Sequence, residues 1–270
     1  MSSITPKIDF QNELTGLYDL SGKVAFVPGG YGGIGEAIAW GLALSGAKVV
    51  IAGRNLEKAE GLASQITAAG YKALGIAVDV TSVSDIERAV GDAIQAYDQI
   101  DILMNCVGTQ KEQLLLEVTE EAFDEVYQIN LKSAMFLGQA VAKRQVAAGN
   151  GGKQIHLLSV RSQFGLRDRG YSAYCATKGG MVMLIKQHAM ELAPKGITVN
   201  GVAPTFVYTD MIQHVMDNDE FRQGLLDRIP LGRIADPKDV VGPALFFSAP
   251  ASDFVTGQTM YVDGGITCSQ

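Results

Sequence analysis

Hydrophobic and polar positions follow two alternating periods along this chain of 270 residues. Short apolar runs rich in β-branched residues, each the length of one strand, are separated by longer segments with apolar residues at every third or fourth position. The predicted strands are KVAFV, AKVVIA, KALGIAV, IDILMN, KQIHLLS, GITVNGV and QTMYVD, and the predicted helices cover 34–45, 56–69, 82–97, 120–147, 172–193 and 237–248. This order predicts the α/β class, with a doubly wound parallel sheet covered by helices on both faces.

Two segments depart from this pattern. Residues 1–20 are polar and weakly patterned, and we interpret them as an N-terminal arm before a single domain that covers 21–270. Residues 205–235 carry mixed charge and the cluster IPLGR. Because such an excursion leaves from the carboxyl edge of the sheet, where ligands bind, we expect 205–235 to form a lid over a substrate.

Composition narrows the function classes. The net charge of -7 argues against a nucleic-acid binder, since phosphate contacts need clustered Lys and Arg, and a small molecule is the expected partner. Cys106, Cys175 and Cys268 are too scattered for a metal site and too few for a disulfide framework, so we expect a cytoplasmic protein without a metal. No uncharged apolar run is long enough to span a bilayer, so we expect no membrane partner.

A glycine-rich loop follows the first predicted strand, in the stretch VAFVPGGYGGIGEAIAWGL. Two registers are present: Gly30, Gly32 and Gly35 fit G-x-G-x-x-G, while Gly29, Gly33 and Gly35 fit G-x-x-x-G-x-G. Glycine permits positive φ in the turn and lets the helix N-terminus approach a pyrophosphate. The loop therefore predicts a dinucleotide site, with a purely structural turn as the alternative.

The end of the second predicted strand, IAGRN, bears on the cofactor. Gly53 offers no carboxylate to a ribose 2′-hydroxyl, whereas Arg54 could hold a 2′-phosphate through two parallel hydrogen bonds. This favours NADP(H) and leaves NAD(H) as an alternative. A solvated arginine at a helix entry is the other interpretation of Arg54.

The stretch GYSAYCATKGG holds Tyr171, Tyr174 and Lys178 at steps of three and four residues, which share one stripe of a helix. With this stretch, the chain resembles the short-chain dehydrogenase/reductase family. The resemblance rests on Gly29-x-x-x-Gly33-x-Gly35, Asp79, NCVG at 105–108, Asn130, Ser159, Tyr174-x-x-x-Lys178, APTFVYTDM at 203–211 and VDGG at 262–265, in family order. It implies a Rossmann fold and a nicotinamide-dependent oxidoreductase, and the family motif selects Tyr174 over Tyr171.

The resemblance also implies roles for four catalytic residues. Tyr174 would exchange a proton with the substrate oxygen, Ser159 would hold that oxygen, Lys178 would tune Tyr174 and bind the nicotinamide ribose, and Asn130 would hold a water. Lowering a phenol pKa by about three units needs roughly 4 kcal/mol. A cation about 4 Å away at intermediate dielectric supplies roughly that amount, so we expect Lys178, helped by the charge of oxidised nicotinamide, to suffice.

Cofactor contacts follow by the same carry-over. Asp79 with Val80 would hold the adenine, Asn105 would line the groove beside Gly108, and Asp79 could alternatively be an ordinary turn acid. Val207 and Thr209 would face the carboxamide. The implied set is Gly29, Tyr31, Gly33, Ile34, Gly35, Arg54, Asp79, Val80, Asn105, Gly108, Tyr174, Lys178, Pro204, Val207 and Thr209.

The sequence departs from the family pattern at several positions. Pro28 stands in place of the usual Thr, and Gly32 in place of a basic residue that many NADP-dependent members carry. The spacing from Ser159 to Tyr174 is two residues longer than usual, and Ser162 would come closer to the family count. We assign Ser159 because it ends the apolar run QIHLLS.

The longer loop contains Arg161, Arg167 and Arg169, whose forked guanidinium groups could bind the carboxylate of a substrate such as a sugar acid. Tyr171 would form a wall of that pocket, and a solvated loop with Asp168 is the alternative interpretation. In outline the loop resembles the gluconate 5-dehydrogenase branch.

The leading prediction is an NADP(H)-preferring oxidoreductase that interconverts a secondary alcohol and a ketone on a sugar acid or polyol. A 3-oxoacyl thioester reductase is the alternative within the enzyme class, although a net charge of -7 disfavours docking of an acidic carrier. A non-catalytic cofactor-binding sensor is a third interpretation. Family members are usually tetramers, which implies a homotetramer paired through 120–147 and 172–193.

Overall fold

The computed structural model describes residues 9–209 and 217–268, and contains one seven-stranded sheet. Parts of the predicted arm, lid and APTFVYTDM motif lie outside the described residues. The strands are β1 (Val24–Pro28), β2 (Lys48–Gly53), β3 (Ala73–Ala77), β4 (Ile102–Asn105), β5 (Gly152–Leu157), β6 (Ile197–Pro204) and β7 (Thr259–Val262). They lie in the order β3-β2-β1-β4-β5-β6-β7, and all six pairings are parallel. The α/β prediction is confirmed.

Helices cover both faces of the sheet. Those described are α1 (Phe10–Leu14), α2 (Ile34–Leu44), α3 (Leu56–Ala68), α4 (Val83–Tyr97), α5 (Glu120–Tyr127), α6 (Ser133–Ala148), α7 (Ser172–Leu192), α8 (Asp219–Leu226) and α9 (Pro237–Ser248). Asn55, Ser82 and Thr119 each accept the N–H three residues further on, which fixes the starts of α3, α4 and α5.

Two hydrophobic clusters hold the helices to the sheet. On one face Ile38, Leu42 and Phe247 pack against alternate residues of β1 and β2, and on the other Ile86 and Leu137 pack against the remaining strand residues. All five residues of β1 are buried. Burial on both faces explains why the strands appear in the sequence as continuous apolar runs.

The topology determines where a ligand can bind. The chain runs outward from β1 to β2 and β3 and then returns to β4 on the other side of β1, so the strand order reverses at the carboxyl ends of β1 and β4. Such a switch point opens a crevice beside the strand ends. The loops after β1 and β4 meet there, since Cys106 N–H donates to Pro28 O at 2.9 Å.

Two predicted segments differ from the structure. The helix predicted over 120–147 is interrupted by a π-helical turn at Gln128–Lys132 between α5 and α6. The residues described between 205 and 235 contain α8 and an isolated bridge between Val207 and Ala235. The lid function of this segment stays a prediction.

The end of the predicted arm is joined to the domain. Leu20 is buried in the main cluster, and Ala251 N–H donates to Leu17 O at 3.0 Å. Among the helices in the described part of the chain, none combines the length and apolar character needed to cross a bilayer.

Candidate active site

Tyr174 lies in the first turn of α7 and is half-buried. Burial raises the pKa of its phenol to about 12, while a hydrogen bond from Ser159 acts in the opposite direction. The ring of Tyr171 meets that of Tyr174 edge to face, with centroids 5.9 Å apart. Tyr171 precedes α7 as its N-cap residue rather than lying on a helical stripe with Tyr174.

Lys178 lies one turn further along α7 and is 2% exposed. Its Nζ donates to Leu157 O at 2.8 Å and is 5.6 Å from the centroid of the Tyr174 ring. Burial lowers the pKa of Lys178 to about 8. The sequence suggested that this lysine lowers the pKa of Tyr174. In the structure Lys178 Nζ donates to Leu157 O, and the largest effect on the pKa of Tyr174 is the burial of its phenol, which raises it.

Asn130 lies in the π-helical turn and is fully buried. Its Nδ2 donates to Thr109 O at 3.0 Å and to Thr177 Oγ1 at 3.2 Å, and its Oδ1 accepts Thr109 N–H at 2.8 Å. Both amide donors of Asn130 are therefore used in joining the loop after β4 to α7, and the water expected at Asn130 stays a prediction.

The structure distinguishes the two candidate serines. Strand β5 ends at Leu157, and Ser159 caps the short 3₁₀ turn Val160–Ser162, where its hydroxyl acts on Tyr174. Ser162 instead pairs with Tyr261, Oγ to Oη, at 3.2 Å. The assignment of Ser159 is thus supported by its contacts, although the strand does not extend to it.

The glycine loop after β1 fits a dinucleotide at close range. Gly29 and Gly33 have φ of 76° and 48°, and a Cβ at Gly35 would lie 2.2 Å from Gly29 O. Helix α2 begins without a side-chain cap, unlike α3, α4 and α5, so no side chain competes with a phosphate for its first N–H groups, although Gly35 N–H donates to Gly32 O at 2.8 Å. A Cβ at Gly33 would also meet Thr209 Cγ2 at 2.8 Å, so this loop and the chain after β6 touch.

The end of β2 lies beside the glycine loop and, with that loop and the start of α2, forms the cradle for a dinucleotide. A Cβ at Gly53 would be 2.3 Å from Tyr31 Cε1, and Tyr31 Oη accepts Asn55 N–H at 3.2 Å. The Tyr31 ring therefore takes the place where an acidic side chain would stand. Arg54 is exposed and forms no ion pair with any described residue.

Two other candidate cofactor residues, Asp79 and Asn105, differ in their exposure and in their hydrogen-bond partners. Asp79 Oδ1 accepts both Thr81 N–H and Thr81 Oγ1, as a turn acid does, and still lies exposed beside buried Val80. Asn105 is fully buried and its Nδ2 meets His156 Nδ1 at 3.1 Å. Its side chain therefore shapes the loop after β4 and does not line the groove.

Gly108 is exposed, and a Cβ there would lie 3.6 Å from Lys178 Nζ, so Gly108 borders the place where the family resemblance puts the cofactor. Ile34 opens α2 at the edge of the cradle. Pro204 ends β6 and is buried, as is Val207, so both support this edge from within.

Comparison with known proteins decides the family. A family model described as Enoyl-(Acyl carrier protein) reductase matches residues 30–267. The 2-dehydro-3-deoxy-D-gluconate 5-dehydrogenase of Escherichia coli is 37% identical over 249 residues, 92% of this chain and 96% of the relative. The chain belongs to the short-chain dehydrogenase/reductase family. It is an oxidoreductase of the alcohol and ketone type.

Two further members are similar over nearly their whole length. The gluconate 5-dehydrogenase of Gluconobacter oxydans is 38% identical over 257 residues, 94% of this chain and 98% of the relative. A crystal structure of a gluconate 5-dehydrogenase from Burkholderia cenocepacia in complex with NADP and tartrate is 35% identical, with a TM-score of 0.90, and the match covers 94% of this chain and 98% of that one.

The three loop arginines of this short-chain dehydrogenase/reductase have different surroundings. Arg169 forms a two-point ion pair with Glu112 through Nε and Nη2 and stacks on Tyr171, so one edge of its fork already holds a carboxylate. Arg167 is exposed. Arg161 is 3% exposed and has no acidic partner among the described residues.

Sequence reasoning missed several residues that shape the site. Glu112 pairs with Arg169, and Gln113 N–H donates to Gly170 O at 3.1 Å, which fastens the loop after β4 to the serine–tyrosine loop. His156 supports Asn105 from β5. Each role depends on a partner distant in sequence, and no local pattern marks it.

Proposed function

We propose that this protein is an NADP(H)-preferring oxidoreductase that interconverts a secondary alcohol and a ketone on a sugar acid. The observation that carries the proposal is the cluster of Ser159, Tyr174 and Lys178 at the carboxyl edge of the sheet, next to an uncapped glycine-rich helix start. The substrate class is supported by relatives named as dehydrogenases of gluconate and its derivatives.

In the proposed reaction, Ser159 and Tyr174 hold the substrate oxygen. A bound nicotinamide cofactor supplies or accepts the hydride. A phenol with a pKa of about 12 is protonated at neutral pH, so Tyr174 is ready to donate its proton to a ketone oxygen. In the direction of oxidation Tyr174 must first lose that proton, and an additional positive charge beside the phenol favours this.

The other residues act around this proton. Lys178, held by Leu157, lies beside Gly108, where a ribose hydroxyl would reach it. Asn130 keeps the loop after β4 against Thr177 and thereby fixes the wall next to Lys178. Asn130 is thus a positioning residue in this proposal.

The cofactor preference rests on Arg54. Its guanidinium is exposed at the end of β2, and the position before it is Gly53, covered by the Tyr31 ring, rather than an acidic residue that would repel a 2′-phosphate. Several similar structures are described with bound NADP. NAD(H) remains the alternative, since Gly32 adds no second cation.

The thioester alternative is tested in the same experiment. The description of the matching family model names an acyl carrier protein, whereas curated relatives are named as dehydrogenases of sugar acids or, in one case, of the polyol sorbitol. Those relatives match at 34–38% identity over nine-tenths of the chain, and this favours the sugar acid.

Nicotinamide absorbance during turnover tests the proposal. D-Gluconate, sorbitol and, in the reverse direction, an acetoacetyl thioester are offered with NADP(H) and NAD(H) in parallel. We expect turnover of the sugar acid with NADP, and a loss of about 10- to 100-fold in kcat/KM for NADP but not NAD in Arg54→Gln. Turnover confined to the thioester would contradict the substrate class, and an unchanged cofactor ratio in Arg54→Gln would contradict the role of Arg54.

We further propose a cytoplasmic homotetramer. Met183 and Met190 are 62% and 66% exposed and lie seven positions apart on α7, and Met135 on α6 is also exposed. Apolar side chains in such a stripe favour burial against another copy. Light scattering of the purified protein measures the number of chains directly.

A further inference from the structure

Arg161 is a buried cation with an unused donor. Its side chain enters the interior from the short turn after Ser159 and is 3% exposed. Nη1 donates to Gly165 O at 2.6 Å, and the guanidinium carbon lies 5.1 Å from the centroid of the Phe164 ring. Nη2 is buried and has no hydrogen-bond partner among the described residues.

No described group neutralises this charge. Burial lowers the pKa of Arg161 and the like charge of Arg228 lowers it further, while its other electrostatic neighbours, Tyr171, Tyr174 and Cys175, are neutral groups at neutral pH. A buried charge without a partner is strongly unfavourable, and buried donors in folded proteins nearly always have acceptors. A bound anionic ligand would neutralise the charge of Arg161 and accept the hydrogen bond that Nη2 can donate.

The free donor lies in the compartment of the proposed catalytic groups. Arg161 N–H donates to Ser159 Oγ at 3.2 Å, so the backbone that carries Arg161 also orients the serine. The charge of Arg161 also lowers the pKa of Tyr174 and of Tyr171, in agreement with its place two residues after Ser159.

Arg228 approaches from the opposite element. It is exposed just after α8 and borders a cavity of about 240 Å³ together with Phe221 and with Arg167, Asp168 and Arg169 of the loop that follows Arg161. Val160, next to Arg161, packs with Leu225 and Ile229 on either side of Arg228. The turn with Arg161 and the segment with Arg228 are thus held together by one hydrophobic cluster.

We propose that Arg161 and Arg228 form a binding subsite for a carboxylate on the same substrate molecule whose alcohol or ketone lies at Ser159 and Tyr174. Arg161 would provide a buried donor and Arg228 an exposed cation at the entrance. Two cations from different elements meet one anion, and binding removes the repulsion between them. The position of the reacting carbon rests on the proposed function, whereas the anion site itself does not.

The test compares a charged ligand with a neutral one. D-Gluconate is titrated calorimetrically into protein saturated with NADPH, with which this alcohol cannot react, and sorbitol serves as the uncharged analogue. The variants are Arg161→Met, which keeps the length of the side chain without its charge, and Arg228→Gln. Arg222→Gln, on the same helix segment and paired only with Asp219 among the described residues, is the control.

We expect gluconate affinity to fall about 10- to 100-fold in Arg161→Met and in Arg228→Gln, with sorbitol affinity and the Arg222→Gln control within about twofold of the unmodified protein. Because Arg161→Met removes an unpaired buried charge, its Tm should stay the same or rise. A purely structural arginine would instead lower Tm and weaken both ligands equally, and this result would overturn the proposal.

Failure of the proposed function gives a different result. If the protein oxidises only neutral polyols while gluconate still binds in an Arg161-dependent manner, the carboxylate subsite stands and the sugar-acid substrate is wrong. If gluconate binds equally to Arg228→Gln, which has an exposed side chain and should fold normally, and to the unmodified protein, the paired subsite is wrong.

Discussion

At the scale of single residues, the groups around Tyr174 act in opposite directions on the pKa of its phenol. Burial raises the pKa of its phenol to about 12, and the hydrogen bond from Ser159 and the charge of Arg161 lower it. Lys178 Nζ donates to Leu157 O, and this hydrogen bond holds the ammonium group beside Gly108. The protein groups together therefore keep the phenol protonated, which suits ketone reduction.

Removal of one hydroxyl should separate the two tyrosines. We expect Tyr174→Phe to lower kcat by about 10³-fold, because a positioned acid contributes this much, while the affinity for NADPH changes little. Tyr171→Phe keeps the edge-to-face contact at 5.9 Å and should lower kcat by less than about tenfold. Steady-state kinetics and NADPH fluorescence titration measure both effects, and a reversed order would disprove the assignment.

The sequence predicts residues whose roles depend on spacing. Tyr174 and Lys178 are four positions apart on α7, and Ser159 ends an apolar run, so local pattern and family resemblance were sufficient to select them as candidates. The surroundings of Arg161 and Arg169 were not predictable. Both are loop arginines in the sequence, yet Arg169 pairs with Glu112, 57 positions away, and Arg161 is buried with no acidic partner in the part of the chain that the structure describes.

At the scale of elements, the interruption of the long helix has a tertiary cause. Periodicity alone predicts one helix over 120–147, since a π-helical turn changes the phase only slightly. In the structure, the turn at Gln128–Lys132 directs Asn130 inward to Thr109 and Thr177, which belong to other elements. Such turns often occur at functional sites, and here the turn fixes the wall beside Lys178.

The glycine loop allows a second test at this scale. Gly35→Ala would place a methyl group 2.2 Å from the Gly29 carbonyl oxygen, so the loop must shift. We expect at least about tenfold weaker NADPH binding, measured by calorimetry. Gly32→Ala is the matched comparison, since no atom lies within 4 Å of its added Cβ, and its affinity should stay within about twofold. Equal losses in both variants would contradict the close-approach argument.

At the scale of the whole molecule, the alternation of strands and helices was enough to predict the sheet. The strand order β3-β2-β1-β4-β5-β6-β7, which the sequence alone did not predict, has its switch point between β1 and β4 and places the loops after these strands together. The sequence did not predict which polar groups become buried between these layers. Asn105, His156 and Lys178 form such a buried set, because the apolar strands that carry or contact them pack on both faces.

One member of this buried set links the site to the acid stability of the molecule. His156 Nδ1 faces the Nδ2 of Asn105, whose Oδ1 already accepts Val107 N–H, so Nδ1 acts as an acceptor and the imidazole is neutral. Burial lowers the pKa of His156 from 6.5 to about 3, and the charges of His188 and Lys178 add to this. In the unfolded chain the same imidazole is free to take up a proton.

This difference gives a signed prediction for stability. Between pH 6.5 and about 3 the unfolded state binds a proton at His156 that the folded state does not, so the free energy of unfolding must fall as the pH falls through this window. His156→Asn should remove up to about 1.4 kcal/mol per pH unit of that slope, whatever its effect on absolute stability. The slope is measured by urea unfolding at several pH values between 4.5 and 6. Asp239, whose pKa is lowered to about 2 by Arg233, adds its own pH dependence to the stability only below this range. Equal slopes in the two proteins would show that His156 is already charged in the fold, and this would also require a different hydrogen-bond pattern at Asn105.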